Sequence, residues 1–456
     1  VSGGLGWFGI VRLGLVQAAI GAVVVLATST MNRVMVLELA MPAVLPGALV
    51  AFHYMVQVLR PRLGHGSDRG GRRTPWIIGG MALLGVGGVL ASLAIAWMPA
   101  APGPAIGLAV IAYGCIGLGV GAAGTSLLVL LASVVEASRR PAAATIVWVM
   151  MMAGFAITAT VAGHLLQPYT PARLVVVAAE VAAAAFVLAV LGVGRIERRA
   201  VVPQAAPVPP AASRVGFAVA LRQVWAEDRS RRFALFVFAS MLAYSAQELL
   251  LEPFAGAVFD LAPGQSTQLA GVQHGGALVG MVLLALVGSA FGGGFRAGQL
   301  GTLRGWTTGG CAASAVMVLG LAAASWVGPG WPLRPWFFAL GMANGVFAAA
   351  AIASMMQFAS QGRGAREGVR MGLWGGAQAV AFGIGGLAAT AAVDVMRGLL
   401  GEVRPAYAIV FAAQAVLFLI AALVARGNED AAASPREGAF VGDASVAMTL
   451  GNTGAA

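Results

Sequence analysis

Residues 64–73 read Gly64-His65-Gly66-Ser67-Asp68-Arg69-Gly70-Gly71-Arg72-Arg73, a polar, glycine-rich break between apolar runs at 42–59 and 75–98. The glycines permit a tight turn. Asp68 is placed to cap a helix start or pair with an arginine, and the arginine row suits phosphate head groups. Each flanking run approaches or exceeds the length needed to cross about 30 Å of hydrocarbon, so the break reads as a loop at a membrane face. The whole chain agrees. Its 456 residues are 59% hydrophobic and 10% charged, with mean hydropathy +0.87, whereas soluble chains carry about a quarter charged residues. This composition specifies an integral membrane protein.

Working outward, apolar runs predict twelve spans at about 13–38, 42–59, 75–98, 104–134, 142–166, 172–194, 232–258, 266–290, 301–327, 333–358, 367–393 and 405–425. The first run is followed by further spans, so it is expected to stay as a helix rather than leave as a signal. All 28 basic residues are arginine. Arg173, Arg334, Arg397 and Arg404 fall on one set of connections, Arg33 falls within a span, and the others gather on the side of the termini. That asymmetry predicts cytoplasmic termini and explains a net charge of +11 without nucleic acid. The expected parts are a six-helix half at 1–194, a linker at 195–231, a second half at 232–426 and a disordered cytoplasmic tail at 427–456. In the linker, Ser213 can cap a short helix carrying Phe217, Leu221, Val224 and Trp225 on one face. Such a helix either lies on the inner leaflet or packs between the halves.

Gly119-Val120-Gly121-Ala122-Ala123-Gly124 matches a dinucleotide fingerprint, but it lies inside an apolar run with no strand before it. Gly117/Gly121, Gly341/Gly345 and Gly372/Gly376 read as faces where helix backbones approach closely. Cys115 and Cys311 sit in apolar runs as packing residues. No metal cluster or catalytic set stands out, so an enzyme is not expected.

The 64–73 stretch resembles the G-x-x-x-D-R-x-G-R-R signature of the major facilitator superfamily. The resemblance implies an all-α integral membrane fold of twelve transmembrane helices in two six-helix halves, with Gly64, Asp68, Arg69, Gly71, Arg72 and Arg73 forming a cytoplasmic latch. The corresponding loop of the second half, Phe291-Gly292-Gly293-Gly294-Phe295-Arg296, lacks an acid. Four further stretches are more specific. They are Asn32-Arg33-Val34-Met35-Val36-Leu37-Glu38-Leu39, Arg231-Arg232-Phe233 continuing to Gln247-Glu248-Leu249-Leu250-Leu251-Glu252-Pro253-Phe254, Met371-Gly372-Leu373-Trp374-Gly375-Gly376-Ala377-Gln378, and Tyr407-Ala408-Ile409-Val410-Phe411-Ala412-Ala413-Gln414. Together they resemble the bacteriochlorophyll delivery family of PucC and LhaA type proteins, over about 12–426. The 2–3 loop is shorter than is usual there, Glu248 stands where Asp is usual, and Phe254 where Tyr is common. The resemblance implies an assembly factor that aids delivery of bacteriochlorophyll to antenna subunits in a bacterial inner or photosynthetic membrane. Its implied partners are the bilayer, light-harvesting polypeptides, bacteriochlorophyll synthase and the protein-insertion machinery. Bacteriochlorophyll or a precursor would be a transient ligand. Two other classes stay open: a proton-coupled transporter of a small amphiphile, and a resident structural subunit of a photosynthetic complex.

Ionisable residues within spans are costly and mark functional candidates. Arg33, Glu180, Glu248 and Glu252 count to the outer half of the membrane at 1.5 Å per residue, and Glu38 lies at the outer end of the first span. Glu248 and Glu252, four apart, share a helix face. Arg33 is expected either to pair with Glu248 or Glu252 across the halves, as an outer gate or clasp, or to snorkel with Glu38 to the interface. His53 and His274 are the candidate axial ligands for a pigment magnesium. A hydrogen bond to a neighbouring helix is the competing role for each.

Overall fold

The computed structural model describes residues 5–59, 72–136, 139–194, 196–199, 222, 225–290, 303–361 and 367–433. The helices are α1 (Trp7–Glu38), α2 (Val44–Leu59), α3 (Thr74–Trp97), α4 (Pro102–Val134), α5 (Arg140–Leu165) and α6 (Pro171–Val193), then α7 (Asp228–Phe259), α8 (Pro263–Ala290), α9 (Leu303–Val327), α10 (Leu333–Gln361), α11 (Glu367–Leu400) and α12 (Val403–Ala433). Among the described residues, eleven of these are long and apolar enough to cross a membrane, and α2 is shorter. Proline opens several of them, where its missing N–H costs nothing. At α6 the Thr170 hydroxyl also accepts from the Arg173 amide at 3.1 Å. Gly401, at φ +69°, turns the chain between α11 and α12, a left-handed position suited to glycine.

Several expectations meet the structure here. Helix α12 continues past Arg426 to Ala433, so the tail does not begin where the apolar run stops. Most of the linker, the amphipathic positions Ser213, Phe217, Leu221 and Val224 included, and Gly64, Asp68, Arg69 and Gly71 of the latch lie outside the described residues. Gly119–Gly124 is helical within α4, and a Cβ at Gly119 would press on the backbone of Gly80 and Leu84 in α3. This is packing, as expected. Gly341 and Gly345 of α10 do the same against the carbonyls of Gln273 and Ala277 in α8, and Gly276 and Gly280 of α8 answer against Phe338 and Met342. Gly376 departs from the expectation, since a Cβ there would meet open space.

Buried apolar side chains form two large clusters, one drawn from 10–196 together with Leu249, the other from 233–425. A smaller one joins them through Val25, Met152, Phe155, Ala159, Ala270 and Met281. The halves meet along α5–α8, α2–α11 and α1–α7. On the first seam, Gly163 of α5 and Gly264 of α8 lie backbone to backbone, and Gly271 packs on Thr160. On the second, Asp394 of α11 accepts from the amides of Ala43 and Val44 at 3.0 and 2.7 Å, capping α2 from across the molecule. These ties lie toward the end of the bundle opposite the termini.

Arginines at the other end hold helix termini. Arg12 of α1 donates to the carbonyls of Leu191 and Gly194, both at 2.7 Å, at the end of α6. Arg140 donates to Val135 at 3.2 Å, just beyond α4. A cation at a helix C-terminus is favoured by the orphan carbonyls and the dipole there.

Candidate functional site

Helix α1 is not α-helical throughout. Wide π turns occur at Leu26–Thr30 and Val34–Glu38, and such turns recur at functional sites. Their polar content is high for a membrane helix: Thr28, Ser29, Thr30, Asn32 and Arg33 are all buried. The Tyr113 hydroxyl of α4 donates to the Ala27 carbonyl within the first turn at 2.8 Å.

Thr28 donates back to the Val24 carbonyl of its own helix at 3.1 Å, whereas Ser29, Thr30, Asn32 and Arg33 reach the other half, Thr30 meeting the Thr267 hydroxyl at 3.0 Å. Asn32 donates from Nδ2 to the Leu249 carbonyl of α7 at 2.7 Å. That carbonyl is a particular one. Pro253 lies inside α7, and a proline has no N–H to give the carbonyl four residues before it. Asn32 therefore occupies the acceptor that Pro253 leaves open, which links the Asn32-Arg33 stretch to the Leu-Leu-Glu-Pro stretch. The Ser29 hydroxyl donates to Glu252, whose other oxygen takes Ser266 at 3.3 Å and Thr267 at 3.2 Å. Ser266 and Thr267 stand in the first turn of α8, where the helix dipole favours a carboxylate.

Arg33 is 3% exposed. It donates from Nη1 to Glu38 at 2.6 Å and from Nη2 to the Leu261 carbonyl at 2.5 Å. The direct pairing with Glu248 or Glu252 is thus not made; Arg33 meets Glu38 instead, which keeps 36% side-chain exposure. Glu38 lies five residues on, and the wide second turn brings it round to Arg33. Gly256 of α7 makes room, since a Cβ there would collide with Leu37 and press on the guanidinium. Tyr169, in the loop after α5, stands near this pair: burial and the charge of Glu38 push its phenol up to about 12, with Arg33 opposing.

Glu248 hydrogen-bonds the Tyr54 hydroxyl of α2. Glu248, Glu252 and His274 line one small cavity with Ser29, Gln273 and Phe155. It has room for about one water. The His274 Nδ1 has no hydrogen-bond partner among the described residues, and Phe155 packs on the ring at 5.0 Å. A tetrapyrrole does not fit there in this conformation. His53 lies elsewhere, its Nε2 2.9 Å from Gln57. Glu180 is brought to none of these groups and lies on the outward side of α6.

Of the latch, Arg72 and Arg73 are described. The amides of Arg73 and Thr74 donate to the two oxygens of Glu197 at 2.6 and 2.9 Å, so the short helix Ile196–Arg199 caps α3. Burial works against the Glu197 charge, but hydrogen bonds from Thr74 and the two amides, with Arg72 nearby, hold its carboxyl below the ordinary value. A carboxyl lowered in the fold stabilises at neutral pH and loses that contribution as pH falls through the folded value. Glu197→Gln is expected to cost about 1 kcal/mol or less at neutral pH. Thermal unfolding in detergent should show this gap closing on acidification; a gap independent of pH would count against the cap.

Sequence reading missed Ser29, Tyr54, Glu197, Ser266, Thr267 and Asp394, ordinary polar residues whose partners are set by tertiary packing. Pro253 inside an apolar run was the available signal for an acceptor in need of a donor.

A family profile described as PUCC protein matches residues 30–429. The chain is 50% identical over 423 residues to the bacteriochlorophyll synthase 44.5 kDa chain of Rhodobacter capsulatus, covering 93% of this chain and 96% of that one. It is 28% identical to Protein PucC of the same organism, covering 90% of each. Among solved structures, a POT family transporter in complex with 5-aminolevulinic acid superposes with TM-score 0.67 at 14% identity, over 94% of this chain and 98% of that one. A bacterial homologue of the lysosomal transporter Spinster gives 0.64 at 14% identity, over 93% and 96%. These neighbours establish the major facilitator architecture. By the extent of the profile match and of the 50% relative, the chain belongs to the PUCC protein family.

Proposed function

We propose that this protein is an assembly factor of bacterial photosynthetic membranes that aids delivery of bacteriochlorophyll to antenna subunits. The observation that carries the reading is the family match across 30–429, which includes both strands of the Asn32–Leu249 tie. The halves are those at 1–194 and 232–426, both termini face the cytoplasm, and the ties near Arg33 lie at the outer face of the inner membrane. The groups gathered at α1, α7 and α8 offer hydrogen bonding and charge compensation, which suits holding and releasing cargo. Bond-making chemistry is not part of this reading, whatever the name of the 50% relative. Pigment would be met on the lipid-facing surface or after the bundle opens, because the cavity at His274 has room for one water. Antenna polypeptides, bacteriochlorophyll synthase and the insertion machinery are the proposed partners.

One observation favours a second reading. Glu248 and Glu252 are deep carboxyls that no described arginine pairs with, facing a shared cavity, an arrangement suited to carrying a proton in a secondary transporter. A gentle pull-down followed by an absorption spectrum separates the two. The assembly reading expects antenna polypeptides or pigment in the eluate and a several-fold loss of light-harvesting absorption in a deletion strain. Uptake of an amphiphile driven by a pH gradient, with normal antenna absorption in the deletion strain, would establish the transporter instead.

A further inference from the structure

The cavity between α1, α7 and α8 gathers more polar groups than the fold satisfies. Thr28, Ser29, Glu248, Glu252, Gln273 and His274 line it. Glu252 has both oxygens engaged by the hydroxyls of Ser29, Ser266 and Thr267. The others are less well supplied. Gln273 and His274 are 4% and 5% exposed, and no described residue hydrogen-bonds either side chain. Glu248 has the Tyr54 hydroxyl as its one described hydrogen-bond partner, against about four acceptor sites on a carboxylate. Ser29 gives its proton to Glu252 and keeps its oxygen lone pairs. Arg33 commits Nη1 and Nη2 to Glu38 and Leu261, so it does not neutralise Glu248.

Buried polar groups take partners, and the space here restricts which. There is room for about one water. A bare monovalent cation the size of sodium needs no more. Magnesium keeps several of its own waters, and an organic amine is larger than the space. A water would meet the hydrogen-bonding needs but bring no charge to two deep carboxyls. Hard cations take oxygen donors, and Glu248, Ser29 and Gln273 offer a carboxyl, a hydroxyl and an amide oxygen. The wide turn Leu26–Thr30 contains Ser29, and interrupted membrane helices are where such ions are held.

We propose that this cavity is a sodium site, in which one Na+ is held by oxygens of Glu248, Gln273 and Ser29. The ion would fasten the two halves together, since Ser29 belongs to one half and Glu248 and Gln273 to the other. The proposal goes beyond the assembly reading and does not depend on it, because sodium binding is read without pigment or antenna polypeptides.

Thermal unfolding of the purified full chain in mild detergent tests it, with choline chloride replaced by NaCl at fixed pH and ionic strength. A ligand that binds only the folded chain raises the midpoint as its concentration passes half-saturation. At a hundredfold the half-saturating Na+ concentration the rise is expected to be about 3 °C. KCl should give less than about a third of that, because K+ is larger than the space. Glu248→Gln, which keeps an acceptor for Tyr54, and Gln273→Leu should each weaken Na+ binding about tenfold or more. Glu402→Gln, an exposed carboxyl in the loop between α11 and α12, should leave it unchanged. The proposal is overturned by a midpoint that does not distinguish Na+ from choline, by an equal rise with K+, or by a Na+ effect that persists undiminished in Glu248→Gln. A midpoint that follows pH and ignores Na+ also overturns it, and would give the cavity to a proton as in the transporter reading. Radioactive Na+ bound to the unaltered chain, displaced by NaCl and not by KCl, is the second readout. Its absence overturns the site whatever the folding of the variants.

Discussion

Arg33→Gln is expected to lower the stability of the folded bundle by about 3 kcal/mol, the lower end of the range for removing one member of a buried ion pair. The lower end applies because Glu38 retains 36% side-chain exposure and can recover water. The loss has two parts: Glu38 is left without its cation, and the Leu261 carbonyl without its donor. Arg33→Lys keeps the charge but not the fork that reaches both acceptors, so it should recover only part of the loss. A charge swap discriminates the partner. Arg33→Glu with Glu38→Arg should be more stable than Arg33→Glu with Glu248→Arg, because Glu38 is the observed partner. The midpoint of thermal unfolding in mild detergent and the yield of monodisperse protein read both. A change under about 0.5 kcal/mol for Arg33→Gln would falsify a stabilising role for the pair.

The second large effect concerns two residues far apart in sequence. Asn32→Ala should cost about 1–3 kcal/mol, since it strands the Leu249 carbonyl in a buried setting. Pro253→Ala restores an amide to α7, and that amide can close the helical bond to the same carbonyl. The double variant should therefore lie well above the sum of the single effects, with a coupling of about 1 kcal/mol or more. Additive behaviour within about 0.5 kcal/mol would mean that Asn32 does something other than serve the carbonyl freed by Pro253.

These two cases mark what was legible in the sequence. The helices were, because about 20 apolar residues have one economical arrangement in hydrocarbon. The predicted run at 172–194 and the helix Pro171–Val193 differ by one residue at each end. That Arg33 needed an explanation was legible as well. Its partner was not, because counting 1.5 Å per residue assumes an α-helix, and the π turn at Val34–Glu38 changes which side chains share a face. Glu180 shows the complementary gap. Depth follows from counting residues, whereas facing outward depends on how α6 packs against α1 and α3.

The glycine contact between α5 and α8 bears on how the two halves come apart. Gly163 and Gly264 bring the two main chains together between the side chains of Gln167 and Gln268, and Met152, Phe155, Ala270 and Met281 interlock further along the same pair of helices. Resistance to separation at that end then rests on a handful of point fastenings: Asn32 to Leu249, Arg33 to Leu261, Ser29 to Glu252, and Asp394 to the start of α2. Each of these catches joins a polar group of one half to the other, so the threshold for opening at that end is set one catch at a time.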